Sequence, residues 1–261
     1  MIRQRTIAVL IAVFALLPLV MVLGSAFGTS RFPVFPPRGF GFDWFVEAWN
    51  KRDFRQGFVI SLRLAILVSI VTTLVSLALG RYIQKTPGLA PKVVLGALNL
   101  PVLVPIIVLA SASLQMWKSY GVYLDFSTLF LGHVIVTFPF AMRTVMIGYG
   151  SLDASVEDAA RTLGASPLRI YLRVILPSMK PSIIASMALV FVVSFDEVPM
   201  SLFLASPRTT PLSVAMFNSM TEELTPVLSA ASFAVTGIAV LAMILLERTV
   251  GIARAFGVRT Q

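Results

Sequence analysis

The sequence contains no cysteine and a single histidine. Without cysteine there is no disulfide framework and no thiolate chemistry, and one histidine argues against a dedicated zinc site. Charged residues make up only 13% of the chain, whereas soluble globular domains carry about 25%. Since 57% of the residues are hydrophobic, the composition excludes an ordinary soluble domain and indicates a protein embedded in a lipid bilayer.

The sequence also lacks a phosphate-binding loop of the form G-x4-G-K-[ST], so the chain cannot hydrolyse ATP alone. Acidic residues are scarce, with 12 Asp and Glu against 21 Lys and Arg and a net charge of +9. In a soluble protein this excess would suggest nucleic-acid binding. Here the basic residues flank apolar stretches, as the positive-inside rule expects, so we expect no nucleic-acid partner.

Several apolar stretches are long enough to cross a bilayer as helices, which takes about 20 residues. They are Ile7–Phe27, Phe58–Gly80, Val93–Trp117, Phe126–Tyr149, Pro181–Ala205 and Ser229–Leu246. The first follows Arg3 and Arg5, as a signal peptide would, but its length and the lack of a small-x-small cleavage site favour a retained helix. The pattern predicts an all-α membrane protein with about six transmembrane helices.

The distribution of Lys and Arg predicts the orientation. More of them lie on the side of the two termini, which places both termini in the cytoplasm. On the outer side, Asp43 is the expected N-cap of a short interfacial helix that contains Trp44 and Trp49. The expected organisation is a first helix with its outer-surface loop (residues 1–57), a core domain (58–250) and a cytoplasmic tail (251–261).

The polar segment 151–181, between the fourth and fifth stretches, predicts two short cytoplasmic helices joined by a tight turn. Asp153 and Glu157 favour the amino end of the first helix, and Gly164 stands where a left-handed residue would end it. Ser166 is the expected N-cap of the second helix and Pro167 its first residue. The expected apolar side of the second helix comprises Leu168, Tyr171, Leu172, Ile175 and Leu176. An ordinary amphipathic hairpin on the membrane surface is the alternative interpretation.

The same segment contains the spacing Asp158-Ala159-Ala160-x3-Gly164-x9-Val174-x-Leu176-Pro177. This spacing resembles the EAA motif of permease subunits in bacterial type I ABC importers. The family pattern has Glu in place of Asp158 and usually Ile in place of Val174. The resemblance extends over residues 58–250, and the motif lies in the expected cytoplasmic loop between spans four and five.

The resemblance implies a set of partners and a site. Two separate ATPase subunits, which bind ATP and Mg, would dock at this coupling loop, and the chain itself would hold no cofactor. A second permease subunit, expected to be a different chain, and a periplasmic substrate-binding protein complete the importer. The implied coupling residues are Asp158, Ala159, Ala160, Arg161, Gly164, Ala165, Ser166, Pro167, Leu176 and Pro177. The chain would then be a transport subunit of the bacterial inner membrane and not an enzyme.

Two acidic residues, Asp196 and Glu197, lie within the fifth apolar stretch, where charged side chains are costly and typically functional. We interpret them as a negative site on the path of a cationic solute, or as part of a gate. The structural alternative is an ion pair with Arg63, Arg143 or a partner subunit. This segment resembles the polyamine branch of the importer family, although relatives that import aminophosphonates, opines, iron or sulfate share much of it.

Two ionisable residues of the fourth apolar stretch are interpreted as structural. His133 is expected to be a packed or hydrogen-bonded histidine rather than a pH switch. Arg143 is expected to pair with an acid or with backbone carbonyls.

Two other classes of protein fit the sequence less well. A secondary transporter needs a coupling-ion site near the midplane, whereas the acidic pair lies away from it and the coupling loop would have no purpose. An intramembrane enzyme needs paired catalytic groups on facing helices, and one histidine without cysteine argues against a metal-dependent version. The sequence therefore favours an importer permease with no catalytic residues.

Overall fold

The computed structural model describes residues 2–32, 34–222 and 225–250, and the regular secondary structure in these ranges is entirely helical. The helices are α1 Ile2–Phe27, α2 Asp43–Asn50, α3 Arg52–Lys85, α4 Ala90–Asn99, α5 Ile106–Ser119, α6 Phe126–Gly150, α7 Ala154–Thr162, α8 Pro167–Ser178, α9 Lys180–Phe195, α10 Pro199–Leu204, α11 Leu212–Glu222 and α12 Pro226–Val250. The all-α prediction is confirmed. The predicted tail 251–261 lies outside the described residues.

Helices α3, α6 and α9 form the centre of the bundle. The inward face of α3 repeats at helical spacing and is built from small and polar residues as well as apolar ones. The outward face carries Ile66, Ile70 and Leu74, which are exposed as expected for side chains that contact lipid. Between the helices, Thr73 and Ser186 hydroxyls lie 3.0 Å apart in a buried hydrogen bond. Small residues and hydrogen bonds of this kind hold helices together in lipid, where apolar side chains gain little by leaving the solvent.

Not every predicted span is a continuous helix. Helices α3 and α6 are each long and apolar enough to cross a membrane. The stretch Val93–Trp117, in contrast, is divided into α4 with a following 3-10 turn and α5, which meet at 100°. Pro105 is the cause, because it lacks a backbone N–H and disfavours helical geometry in the residue before it. The number of spans stays a prediction.

The fifth predicted stretch, Pro181–Ala205, is also interrupted. Helix α9 ends at Phe195, and Pro199 begins the separate helix α10. Proline suits a first helical position, but its missing N–H cannot continue the ladder of the preceding helix. The break leaves Asp196 at the carboxyl end of α9.

The short helix predicted around Trp44 and Trp49 is present as α2, with one local difference from the prediction. Asp43 is its first residue, and the N-cap is Phe42, which makes no side-chain cap bond. The Trp44 indole N–H donates to the Gly28 carbonyl, and Phe45 packs between Phe27 of α1 and Phe233 of α12. These contacts tie α2 to the first and last helices.

Close backbone approach at Gly57 predicts a measurable stability effect. A Cβ at Gly57 would lie 2.9 Å from both the Cα and the backbone N of Leu212, which cannot move without shifting α11. We expect Gly57→Ala to destabilise the folded protein by about 1–3 kcal/mol, measured by thermal unfolding in detergent. Gly96→Ala is the matched control, because nothing lies within 4 Å of a Cβ there. Equal melting temperatures for the two variants would contradict this packing.

Candidate functional site

The first loop helix, α7, begins and ends as the sequence predicts. Asp153 is its N-cap, and the Asp153 carboxylate accepts a hydrogen bond of 2.9 Å from the Ser155 N–H. At the other end, Gly164 has φ +78, a left-handed conformation that glycine adopts without strain. The Gly164 N–H donates to the Arg161 carbonyl at 3.0 Å, and the Ala165 N–H donates to the Ala160 carbonyl at 3.1 Å. These two bonds make a Schellman turn.

The second loop helix, α8, starts at the predicted residues but presents a different face. Ser166 occupies the N-cap position without a side-chain cap bond, and Pro167 is the first residue. Residues Tyr171–Ile175 form a π-helical turn. That turn brings Ile170 and Ile175, five residues apart, onto the same buried side.

The π turn therefore overturns part of the expected apolar side. Ile175 is buried and Tyr171 and Leu176 are half-buried, but Leu168 and Leu172 are exposed. The predicted apolar side assumes a regular α-helical repeat. A π turn adds one residue to that repeat, so the buried positions change.

The exposed surface of the loop is apolar at its tip. Leu163 is 87% exposed, and Leu168 and Leu172 are also exposed. Of the predicted coupling residues, Asp158, Ala159, Arg161, Gly164, Ser166, Pro167 and Pro177 are exposed, whereas Ala160, Ala165 and Leu176 are half-buried against the loop core. Exposed apolar side chains with charged neighbours are typical of a protein-docking surface.

A cluster of charges fastens the loop to the bundle. One oxygen of Glu157, Oε1, lies 2.9 Å from Arg81 Nη2, 2.6 Å from Lys85 Nζ and 2.9 Å from Arg161 Nη2. Arg81 and Lys85 belong to the end of α3, so the cluster joins α7 to a central helix. The sequence analysis does not identify Glu157 as the residue that joins the loop to α3. The i,i+4 spacing of Glu157 and Arg161 is the local signal that was available.

The charge state of Glu157 follows from these partners. Hydrogen bonds from the Arg81 guanidinium, supported by Lys85, lower the pKa of Glu157 to about 2 from its ordinary value of 4.5. Because the pKa is lowered on folding, the cluster contributes its full stability above the ordinary value and loses that contribution as the pH falls towards 2. At neutral pH the loop is therefore held to α3 by an ionised carboxylate.

Removing the charge of Glu157 should loosen the loop. We expect Glu157→Gln to speed trypsin cleavage after Arg161 at least about threefold, because local opening becomes easier. The matched control is Asp158→Asn, since the Asp158 side chain is 71% exposed and its ion pair in the described part of the chain is with Arg161, at 3.4 Å. Cleavage at the same rate in both variants would contradict the role of Glu157 as a fastening group. The assay is limited proteolysis followed by mass spectrometry.

The two acidic residues after α9 point to different surroundings. Asp196 is exposed, whereas Glu197 is only 6% exposed. Glu197 Oε2 accepts a 3.1 Å hydrogen bond from the Ser201 N–H at the start of α10, and its carbonyl accepts one of 3.1 Å from the Ser213 hydroxyl. Glu197 therefore holds α10 and α11 in place, while Asp196 is the accessible carboxylate. Their assignment to a substrate path stays a prediction.

A buried histidine connects the same region to α6. His133 Nδ1 lies 2.9 Å from the Ser194 hydroxyl, and His133 Nε2 lies 2.9 Å from the Ser201 hydroxyl. Since His133 is fully buried, this geometry agrees with the structural interpretation from the sequence. Within the described ranges, no group of three or more His, Asp or Glu side chains is placed to hold a metal ion.

The two arginines proposed as partners for the acids have other neighbours. The Arg63 guanidinium lies over the Phe126 ring, 4.8 Å from its centroid. Arg143 is exposed, and its Nε donates to the Asn99 side-chain oxygen at 3.2 Å. The expectation that Arg143 pairs with an acid or backbone carbonyls is therefore wrong for the part of the chain described.

Comparisons with known proteins agree with the fold. Residues 77–250 match the family described as "Binding-protein-dependent transport system inner membrane component". The spermidine/putrescine transport system permease protein PotC of Haemophilus influenzae is 27% identical over 218 residues, covering 82% of this chain and 83% of that protein. PotC of Escherichia coli K12 is 28% identical over 225 residues, covering 84% and 83%.

Solved structures provide a fold comparison. A bacterial alginate ABC transporter in complex with its pentasaccharide-bound periplasmic protein matches with a TM-score of 0.74 and 14% identity, over 98% of this chain and 96% of that chain. The MetNI methionine ABC transporter in an inward-facing conformation matches with a TM-score of 0.61 and 15% identity, over 76% and 94%. With the family match over residues 77–250, the conclusion is that this chain belongs to the inner-membrane components of binding-protein-dependent transport systems and is a permease subunit of an ABC importer.

Proposed function

We propose that this permease imports a small organic cation of the polyamine class, driven by ATP hydrolysis in separate subunits. The names of the PotC relatives support the solute class, and the exposed carboxylate of Asp196 offers a negative group to a cation. A periplasmic binding protein would deliver the solute, and a second permease would form the other half of the path. The termini would lie in the cytoplasm, where ATP and Mg are held by the ATPase subunits.

The exposed tip of the loop between α6 and α9 supports coupling to the ATPase subunits. Its tip presents Leu163, Leu168 and Leu172 to solvent, an apolar surface that suits the groove of a partner protein. The Schellman turn at Gly164 fixes the angle between α7 and α8. The ATPase subunits would bind this tip, with Asp158 and Arg161 as polar neighbours at its edge.

The loop is connected to the bundle by two sets of contacts, which would carry motion inward. On one side, Glu157 binds Arg81 and Lys85 of α3. On the other, the Tyr149 hydroxyl donates to the Leu77 carbonyl at 2.8 Å and lies 3.4 Å from the Tyr171 hydroxyl of α8. Closure of the ATPase subunits would move the loop together with α3 and α6. Such coupling needs the inward and outward states to differ in their affinity for the ATPase or the binding protein.

Distortion of the turn should uncouple transport. Gly164→Val places a β-branched residue at φ +78, where strain is about 1–2 kcal/mol per residue. We expect ATP-driven uptake in vesicles to fall about tenfold, the factor that 1.4 kcal/mol represents, with less ATPase recovered on the purified permease.

The matched control for this variant is Gly88→Val. Gly88 has φ +111, and no atom lies within 4 Å of a Cβ at either glycine. Both variants should insert in the membrane, but only the Gly164 variant should lose ATPase. Normal ATPase recovery and uptake with Gly164→Val would remove the loop from the coupling proposal.

Neutralising Asp196 should weaken the handling of a cationic solute. We expect Asp196→Asn to raise the KM for spermidine uptake about fivefold, the size of one solvated charge interaction of about 1 kcal/mol, with unchanged assembly. Asp53→Asn, which neutralises an exposed acid at the start of α3, is the control. An unchanged KM for Asp196→Asn would assign Asp196 a structural role.

A further inference from the structure

The corner between α4 and α5 is an interruption of helical structure with an exposed surface. After α4, residues Leu100–Val102 form a 3-10 turn, and the chain then turns by 100° into α5. Leu103 is 79% exposed, and Pro105 is exposed as well. Irregular backbone at membrane depth is tolerated only where it is buried in protein or borders water, because lipid offers it no hydrogen bonds.

With the carboxyl end of α6 taken as the level of the membrane surface, the lengths of α4 and α6 place this corner inside the bilayer. The start of α4 and the end of α6 lie at the same end of the bundle, because Gln84 of the preceding helix donates to the Tyr149 carbonyl. Asn99 lies nine residues along α4, or about 14 Å from that end. Arg143 lies seven residues before the end of α6, or about 10 Å from it. Their hydrogen bond of 3.2 Å joins the two helices at this level.

The guanidinium of Arg143 at this depth is exposed and has no acidic partner among the described residues. Its Nε donates to Asn99, and among the described residues it makes no ion pair with an acid. Helical side chains lean towards the amino end of their helix, which for α6 is away from the nearer membrane surface. The side chain therefore does not extend to that surface, and a lipid environment at this position would be costly for its charge.

We infer that the α4–α5 corner and Arg143 border the water-filled translocation path, where the guanidinium raises the local electrostatic potential. A guanidinium beside a narrow aqueous path repels cations in proportion to their charge, so it acts on a cationic solute as well as on inorganic cations. Asp196 lies at the opposite end of α9 from the coupling loop, so the path would carry an acid far from that loop and a base nearer to it. For a cationic solute, the base would favour release over retention at the loop end.

The absence of cysteine from the chain makes the aqueous surface directly measurable. Leu103→Cys places a thiol at the corner. Leu74→Cys places one on the outward face of α3, where Leu74 is 59% exposed. The complete importer in membrane vesicles is treated with membrane-impermeant methanethiosulfonate reagents, one anionic and one cationic. We expect Leu103→Cys to be modified and Leu74→Cys to remain unmodified until detergent denaturation exposes it. A Leu103→Cys thiol as protected as the Leu74→Cys thiol would overturn the inference.

The charge of Arg143 is tested in the Leu103→Cys background. The guanidinium should attract the anionic reagent and repel the cationic one. The rate of modification by the anionic reagent, divided by the rate for the cationic reagent, should therefore fall about threefold or more with Arg143→Gln. Arg143→Lys should keep the ratio, because it keeps the charge. An unchanged ratio with Arg143→Gln would overturn the placement of Arg143 on the path. Neither measurement depends on uptake, so both remain decisive whichever solute the importer carries.

Discussion

Within a bilayer, backbone N–H and C=O groups find no water, so each must be bonded within the protein. Helices α3 and α6 meet this requirement over most of their length, although Pro139 removes one hydrogen bond from α6. The series of helical backbone hydrogen bonds is interrupted at the α4–α5 corner, between Phe195 and Pro199, and in the coupling loop. Charged side chains accompany each break: Arg143 beside the corner, Asp196 at the end of α9, and Glu157 in the loop. At each of these places the backbone needs hydrogen-bond partners from side chains, water or another protein.

The centre of the bundle owes its cohesion to close approach and buried hydrogen bonds more than to apolar side chains. Gly57, Gly132 and Gly148 let neighbouring elements approach to distances at which a Cβ would collide. Buried hydroxyls add specific links, as between Thr73 and Ser186. Such contacts exist in one register only, so α3, α6 and α9 are suited to move as a unit. That property is needed if a force applied at the loop is to reach the outer surface.

Glu157 connects the loop to that unit. Its three cationic neighbours come from the end of α3 and from its own helix, and hydrogen bonds from Arg81 and Lys85 keep it ionised against the effect of burial. The exposed leucines of the tip lie on the other side of the same small structure. The loop thus has one face built for the bundle and one available to a partner, which is the arrangement that a mechanical link requires.

The sequence by itself determined the membrane class, the helices α3 and α6, and the turn at Gly164 followed by Ser166 and Pro167. These features depend on hydropathy and on the conformational limits of single residues, which act over a few positions. The tertiary structure alone decided the partners of Glu157, because Arg81 lies 76 residues away and meets it only through packing. It also decided which face of α8 is buried, through a π turn that has no sequence signal. It left the Asp196 side chain exposed and buried that of Glu197. Those outcomes depend on which helices approach one another, and local patterns do not encode that.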